Sequence, residues 1–167
     1  MAKNTQNMTP RQILEQKQKS GRSNLLLAIF LTVVNIVMLL AGGDAMLLFS
    51  ISVPYYAVIF GVILETQQLL ITGCVIAAVV LAAYLLCWLM SKKHVGWLIA
   101  ALVLMCLDTL ALIAFYLLAG EISGVLDLVF HAMIIYYLVI GITSTKKLQN
   151  LPPEETVAEV QLPELEG

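Results

Sequence analysis

Residues 69–118 decide the fold: LLITGCVIAAVVLAAYLLCWLM, then SKKH, then VGWLIAALVLMCLDTLALIAFYLL. Each apolar run has the length of a transmembrane helix, which needs about 17–25 residues. The turn between the runs contains Lys92 and Lys93, and its shortness makes the two helices antiparallel neighbours. This stretch therefore predicts a helical hairpin that enters a membrane and returns to the side of its lysines.

The composition of the whole chain agrees with a membrane environment. The 167 residues are 60% hydrophobic and 12% charged, whereas soluble domains average about 45–50% apolar and about 25% charged residues. A water-soluble fold of this size could not bury so much apolar surface. Nucleic-acid binding is also excluded, because no extended basic surface is available for it.

Basic residues set the predicted topology. Four segments are long and apolar enough to span, namely 24–40, 69–90, 95–118 and 125–143. With four spans, every basic residue falls on one side, which the positive-inside rule assigns to the cytoplasm. We therefore expect an all-α, four-helix integral membrane bundle in the plasma membrane, with both termini cytoplasmic. The basic residues are Lys3, Arg11, Lys17, Lys19, Arg22, Lys92, Lys93, Lys146 and Lys147.

A further apolar stretch, 45–64, does not fit a fifth span, because a fifth span would move Lys92 and Lys93 away from the N-terminal basic residues. Polar and apolar residues alternate over 49–53, which predicts an extended piece ending at Pro54. The residues after Pro54 suit about three helical turns. Two interpretations remain open: an interfacial helix that caps the outer face of the bundle, or a re-entrant element over a site.

The N-terminal segment, 1–23, predicts a short amphipathic helix at the cytoplasmic surface. Thr9, Pro10 and Gln12 form the pattern of a capping box, and Gly21 suits a helix end. Basic side chains on this helix are expected to contact anionic lipid. They are Arg11, Lys17, Lys19 and Arg22.

The chain after the membrane domain, which we place at 24–147, is different in character. Residues 148–167 contain Pro152-Pro153 and five glutamates without a basic partner after Lys147. No apolar periodicity accompanies them. This pattern predicts a disordered acidic tail on the cytoplasmic side.

Polar residues within the apolar runs form the candidate site. Asp108 lies near the middle of the third span, where a charge costs about 2.5–3.5 kcal/mol. Asp127 and His131 share one face of the last span. Depths counted along the two helices bring Asp108 and His131 within reach of each other. The full predicted cluster comprises Asp108, His131, Asp127, Asn35, Thr32 and Thr109.

Three interpretations of this cluster are open. It could join helices by hydrogen bonds, relay protons or ions through Asp108 and His131, or hold a metal with Asp127 as well. Sequence motifs of hydrolases, metalloproteases and nucleotide-binding proteins do not occur. We therefore expect a non-enzymatic structural or accessory protein without cofactor, catalytic residues or bound metal. The alternatives are an oligomeric proton- or ion-coupled transporter or channel and a membrane-embedded metal enzyme.

Small residues on the second span predict close helix contacts. Gly73 with Ala77, and Ala78 with Ala82, have the spacing of small-residue pairs. Such faces permit a homo-oligomer or a membrane-protein partner. Two stretches resemble runs in small four-span membrane proteins of Gram-positive bacteria, namely 127–131 followed by Tyr136-Tyr137, and 24–35. This resemblance implies no particular activity.

Overall fold

The computed structural model describes residues 8–43, 47, 49–119 and 125–152. Within these residues the chain is helical and contains no strand. Four of the helices are long and apolar enough to cross a membrane, so the all-α four-helix prediction is confirmed. The helices are α1 (Pro10–Leu40), α2 (Ser52–Ile63), α3 (Gln67–Met90), α4 (Val95–Ala119) and α5 (Val125–Gln149).

Helix α1 begins as predicted but does not end where predicted. The Thr9 backbone N–H donates to Gln12 Oε1 at 3.1 Å, and the Gln12 N–H donates to Thr9 Oγ1 at 3.3 Å, which completes the capping box. The expectation that Gly21 ends a separate short helix is wrong, because α1 continues to Leu40. Gly21 instead allows close packing: a Cβ there would lie 2.7 Å from the Tyr137 carbonyl oxygen of α5.

The last helix also exceeds its predicted span. It runs to Gln149 rather than to residue 143, so Lys146 and Lys147 form part of its last turn. Positive side chains are favourable there, since the end of a helix bears a partial negative charge. The apolar run marks the part suited to lipid, whereas the helix itself continues beyond it.

The two ends of the described chain meet at one end of the bundle. Arg11 Nη1 donates to the Pro152 carbonyl oxygen at 3.4 Å. Arg22 Nε donates to Ser91 Oγ in the α3–α4 turn at 2.9 Å. We call this the basic end of the bundle; it contains the basic residues of α1, of the α3–α4 turn and of the α5 terminus.

Apolar packing holds the four long helices together. Leu25, Met105, Ile134 and Leu138 are fully buried in one hydrophobic core. Large apolar side chains also face outward, as with Phe30, which is 61% exposed. Apolar groups on both the inside and the outside are what a bundle surrounded by lipid requires.

Helix α2 begins deep within the bundle. Its first N–H groups contact Asp108, which lies about 20 Å along α4 from Val95 and about 17 Å from Ala119 at 1.5 Å per residue. The helix then runs back to the end opposite the basic end, where α3 begins. Of the two interpretations of 45–64, the geometry matches the re-entrant one. Pro54 lies in the first turn of α2, where a missing N–H costs no helical hydrogen bond.

Glycines let α2 pack closely on α3. A Cβ at Gly61 would collide with the Leu70 backbone, and one at Gly73 would collide with the Ala57 carbonyl oxygen. The small face predicted from Gly73 and Ala77 is therefore covered by the re-entrant helix. The other predicted pair, Ala78 and Ala82, lies on the exposed side of α3.

Candidate functional site: a buried polar centre

Asp108 of α4 and His131 of α5 form the centre of the site. His131 Nε2 lies 2.9 Å from Asp108 Oδ2. This is the contact that the depth estimate from the sequence predicts. His131 is fully buried and Asp108 is 4% exposed, so neither group has bulk water as its main partner.

Asp108 also binds the start of the re-entrant helix. The N–H of Ser52 donates to Oδ2 at 2.9 Å, and the N–H of Val53 donates to Oδ1 at 2.8 Å. The capping position of α2 is Ile51, whose side chain makes no capping hydrogen bond. Asp108 therefore supplies from α4 the N-terminal cap that α2 lacks. A carboxylate is favoured there because a helix N-terminus bears a partial positive charge.

The ring nitrogens of His131 contact three other residues of the site. Its Nδ1 lies 2.8 Å from the Asp127 carbonyl oxygen, which only accepts, so Nδ1 bears a hydrogen. Its Nε2 faces both Asp108 Oδ2 and, at 3.1 Å, Ser52 Oγ. The role of Nε2 as donor or acceptor depends on the protonation of the ring. Nε2 is therefore the point at which the imidazole, the Asp108 carboxylate and the Ser52 hydroxyl meet.

Two polar side chains of helix α1 form hydrogen bonds with the backbone that leads into α2. We call the described residues between α1 and α2, namely 41–43, 47 and 49–51, the entry segment. Thr32 Oγ1 accepts from the Ile51 N–H at 2.7 Å. Asn35 pairs with the backbone of Leu47, accepting from its N–H and donating to its carbonyl oxygen, each at 2.8 Å.

The hydrogen bonds of Asn35, Thr32 and Asp108 all satisfy backbone groups that lie outside or at the start of a helix. Non-helical backbone inside a bundle surrounded by lipid must find protein partners for its N–H and C=O groups. Asn35, Thr32 and Asp108 provide such partners for the N–H groups of residues 47, 51, 52 and 53. The polar side chains of the long helices are therefore matched to backbone groups of the entry segment and the first turn of α2.

Asp127 and Thr109 have different surroundings. Tyr116 donates its hydroxyl to Asp127 Oδ2 at 3.3 Å, while Asp127 Oδ1 is buried without a hydrogen-bond partner among the described residues. Thr109 donates to the Met105 carbonyl oxygen of its own helix at 2.7 Å. The structure thus places Asp127 beside the centre through its backbone, and it leaves the Thr109 hydroxyl bound to its own helix.

Phe49 of the entry segment has an unusual backbone. Its φ of 73° lies in the left-handed region, which costs a bulky residue about 1–3 kcal/mol. Its ring is 7% exposed and packs edge-on against Phe130, with ring centroids 5.7 Å apart. This packing holds the strained turn that directs the chain toward Ser52.

Sequence reasoning did not identify Ser52 or the backbone of Ile51 as parts of the site. A signal for them was present, since alternating polar residues over 49–53 predict extended backbone, and extended backbone in lipid needs partners. The unpaired polar groups of the spans and the unpaired backbone of 49–53 are complementary. Matching the two sets would have placed the entry segment inside the bundle.

The described residues contain no candidate metal site, and the comparisons with known proteins identify no family. Among the described residues, no group of three or more His, Cys, Asp or Glu side chains converges on one point. No protein-family model, curated protein or solved structure matches the chain. The resemblance to four-span proteins of Gram-positive bacteria thus stays a prediction, and the function is argued from the site itself.

Proposed function

We propose that this chain is a small, non-enzymatic membrane protein with a structural or accessory role, whose polar centre holds a re-entrant helix in place. The observation on which this rests is the engagement of Asp108. Both of its carboxylate oxygens accept backbone N–H groups of α2, and one of them also meets His131. A side chain committed in this way serves the fold and leaves no oxygen free for a substrate.

The arrangement of Ser52, His131 and Asp108 supports a non-catalytic role. In a hydrolase triad the nucleophile and the carboxylate bind opposite nitrogens of the imidazole, so that one orients the ring while the other gives up its proton. Here Ser52 Oγ and Asp108 Oδ2 both face Nε2, and Nδ1 is bound to a backbone carbonyl. Asp108 therefore competes with the Ser52 hydroxyl for Nε2, which favours a structural over a catalytic role.

The proposal places the basic end of the bundle in the cytoplasm and the bundle in the plasma membrane. The positive-inside rule supports the orientation, and the position of Trp88 and Trp97 on either side of the α3–α4 turn agrees with a membrane interface at that turn. Reporter fusions test it. A fluorescent protein fused after Asn150 should fluoresce, and alkaline phosphatase fused after Thr66 should be active. The reverse pattern would contradict the orientation.

An accessory role predicts that the protein belongs to a defined complex. Gentle extraction from native membranes should yield an assembly heavier than the 18.3 kDa chain with its detergent, either a homo-oligomer or a complex with a second membrane protein. Asp108→Ala should release α2 and weaken this assembly. The neighbouring variant Thr109→Ala should leave it intact, because its hydroxyl contacts only its own helix.

A monomeric wild-type protein would contradict the accessory role. An assembly that survives Asp108→Ala unchanged would show that the position of α2 does not matter for it. The first result removes the proposal, whereas the second removes the part that assigns a role to the polar centre.

A second function, a proton relay, is favoured by one specific observation. His131 Nε2 and Asp108 Oδ2 lie 2.9 Å apart, and Asp127, on the same face of α5 as His131, has a buried oxygen that lacks a partner among the described residues. In proteoliposomes with a pH-sensitive dye, a relay predicts a proton flux that Asp108→Asn abolishes and Thr109→Ala preserves. A flux equal to that of protein-free vesicles would exclude the relay.

A further inference from the structure

A cavity of about 210 Å³ lies at the basic end, between the α3–α4 turn, α1 and the last turn of α5. It is distant from the polar centre and plays no part in holding α2. Its lining is partly polar and partly apolar, and three consecutive residues of the α3–α4 turn, Lys92, Lys93 and His94, contribute to it. Gln18 of α1 and Gln149 of α5 face it from the other sides.

The positive charge around this cavity has no internal counter-ion in the described part of the chain. The carboxylates of that part are Glu15, Glu65, Asp108 and Asp127. Glu15 pairs with Arg11 at 3.5 Å, and the described ion pairs include none to Lys92 or Lys93. Lys92 and Lys93 are therefore two adjacent, exposed cations whose charge a bound anion would compensate.

Arg22 adds a further cation next to the cavity. Its Nε donates to Ser91 Oγ, which lines the cavity, and its Nη2 donates to the Trp88 carbonyl oxygen at 3.3 Å. Both acceptors are neutral, so the guanidinium keeps its full charge. The guanidinium also lies over the Trp88 ring, 5.6 Å from its centroid, which fixes its position.

The helix termini at this cavity do not add to the positive charge. The N-terminus of α4 at Val95 is offset by the C-terminal ends of α3 at Ser91 and of α5 at Gln149, which line the same cavity. The positive charge therefore comes from the side chains, and two lysines and an arginine around one small cavity form the kind of surroundings that phosphate groups prefer.

We propose that this cavity binds a phosphate-bearing anion, supplied either by an anionic lipid headgroup or by free phosphate. The lipid source requires only that the four apolar helices lie in a membrane, and the site is independent of the role proposed for Asp108. Lys92 and Lys93 are the principal ligands, and both are exposed enough to reach a headgroup at the membrane surface.

The test measures binding to the purified full chain by native mass spectrometry in detergent. Phosphatidylglycerol, phosphatidylcholine and inorganic phosphate are titrated separately. Wild-type protein should bind phosphatidylglycerol or phosphate saturably and phosphatidylcholine far more weakly. Lys92→Gln with Lys93→Gln should weaken anion binding by about 30-fold, since each lysine near an anionic surface is worth about fivefold.

Lys146 and Lys147 provide the matched control. They lie at the same end of the bundle and are exposed, but they do not line the cavity. Their double substitution to Gln removes the same charge and should change anion affinity by less than about threefold. Melting temperatures of both variants, measured without anion, verify that the fold is retained.

The two sources give different positive results. Saturable phosphatidylglycerol binding that inorganic phosphate does not displace identifies a lipid headgroup site, and saturable binding of phosphate alone identifies a free-phosphate site. Equal weakening in the two double variants would reduce the effect to general surface charge and overturn the proposal. Absence of saturable binding for both anions would also overturn it.

Discussion

Replacing Asp108 with alanine should destabilise the bundle through the loss of three contacts at once. The N–H groups of Ser52 and Val53 lose their acceptor, and His131 loses its partner at Nε2. A buried N–H without a partner costs about 1–3 kcal/mol, although hydrogen bonds in membrane proteins average only about 0.6 kcal/mol. Taking the three contacts together, we expect a loss of about 3 kcal/mol, or about 150-fold in the ratio of folded to unfolded protein.

The assay is reversible unfolding in mixed micelles by titration with sodium dodecyl sulfate, followed by circular dichroism. Thr109→Ala is the matched control, since it removes a polar group at the next position whose hydrogen bond stays within α4. We expect it to change the free energy of unfolding by about 0.5 kcal/mol or less. Asp108→Asn, which keeps one oxygen acceptor, should fall between the two.

Hydrogen exchange adds a readout specific to the re-entrant helix. In the wild-type protein the amides of Ser52 and Val53 should exchange slowly, because both are bonded to Asp108 inside the bundle. In Asp108→Ala their protection should fall while that of the α4 amides persists. If Asp108→Ala matches Thr109→Ala in stability and in the protection of these two amides, then Asp108 does not cap α2 and the reasoning is refuted.

Three further substitutions, with Gly96→Ala as a control, test other contacts by the same unfolding assay. Asn35→Leu removes two hydrogen bonds to the entry segment and should cost about 1–2 kcal/mol; unchanged stability would show that the entry segment is held without them. Gly73→Ala should destabilise the protein by about 1–3 kcal/mol, because the added Cβ would meet the α2 backbone. Gly96→Ala is the control: a Cβ there has open space, so it should stabilise the protein by about 0.5–1 kcal/mol. Equal effects of the two substitutions would contradict the close α2–α3 packing. Ser52→Ala removes only the hydroxyl contact to His131 and should cost about 0.6 kcal/mol, so a loss as large as that of Asp108→Ala would assign the hydroxyl a greater role than the geometry does.

Much of the fold follows from hydropathy, because lipid requires long apolar segments with internally paired backbone and only helices of sufficient length supply them. The helix ends were less predictable. Gly21 has the residue type of a helix end, yet α1 passes through it. Its role depends on a neighbour, the backbone of Tyr137 and Gly141 in α5, and that neighbour is far away in the sequence.

Some contacts of the candidate site could also be predicted from the sequence, whereas others could not. The pairing of Asp108 with His131 could be inferred, because both lie on neighbouring helices at comparable depth and a buried charge needs a partner. The pairing of Asp108 with Ser52 and Val53 could not be inferred, because these contacts use backbone N–H groups, and every residue other than proline has one. Thr32 and Asn35 are similar cases, as each binds backbone of the entry segment.

The sequence by itself determined that four helices are apolar and long enough to cross a membrane, that basic residues gather on one side, and that a few polar groups lie among apolar ones. These are local properties of composition and spacing. Only the tertiary structure decided that the described residues of 45–64, namely 47 and 49–64, turn inward and that Asp108 caps their helix. The physical reason is that a re-entrant chain is stable only where distant helices offer partners to its backbone at matching depths, and this match exists only once the helices are packed.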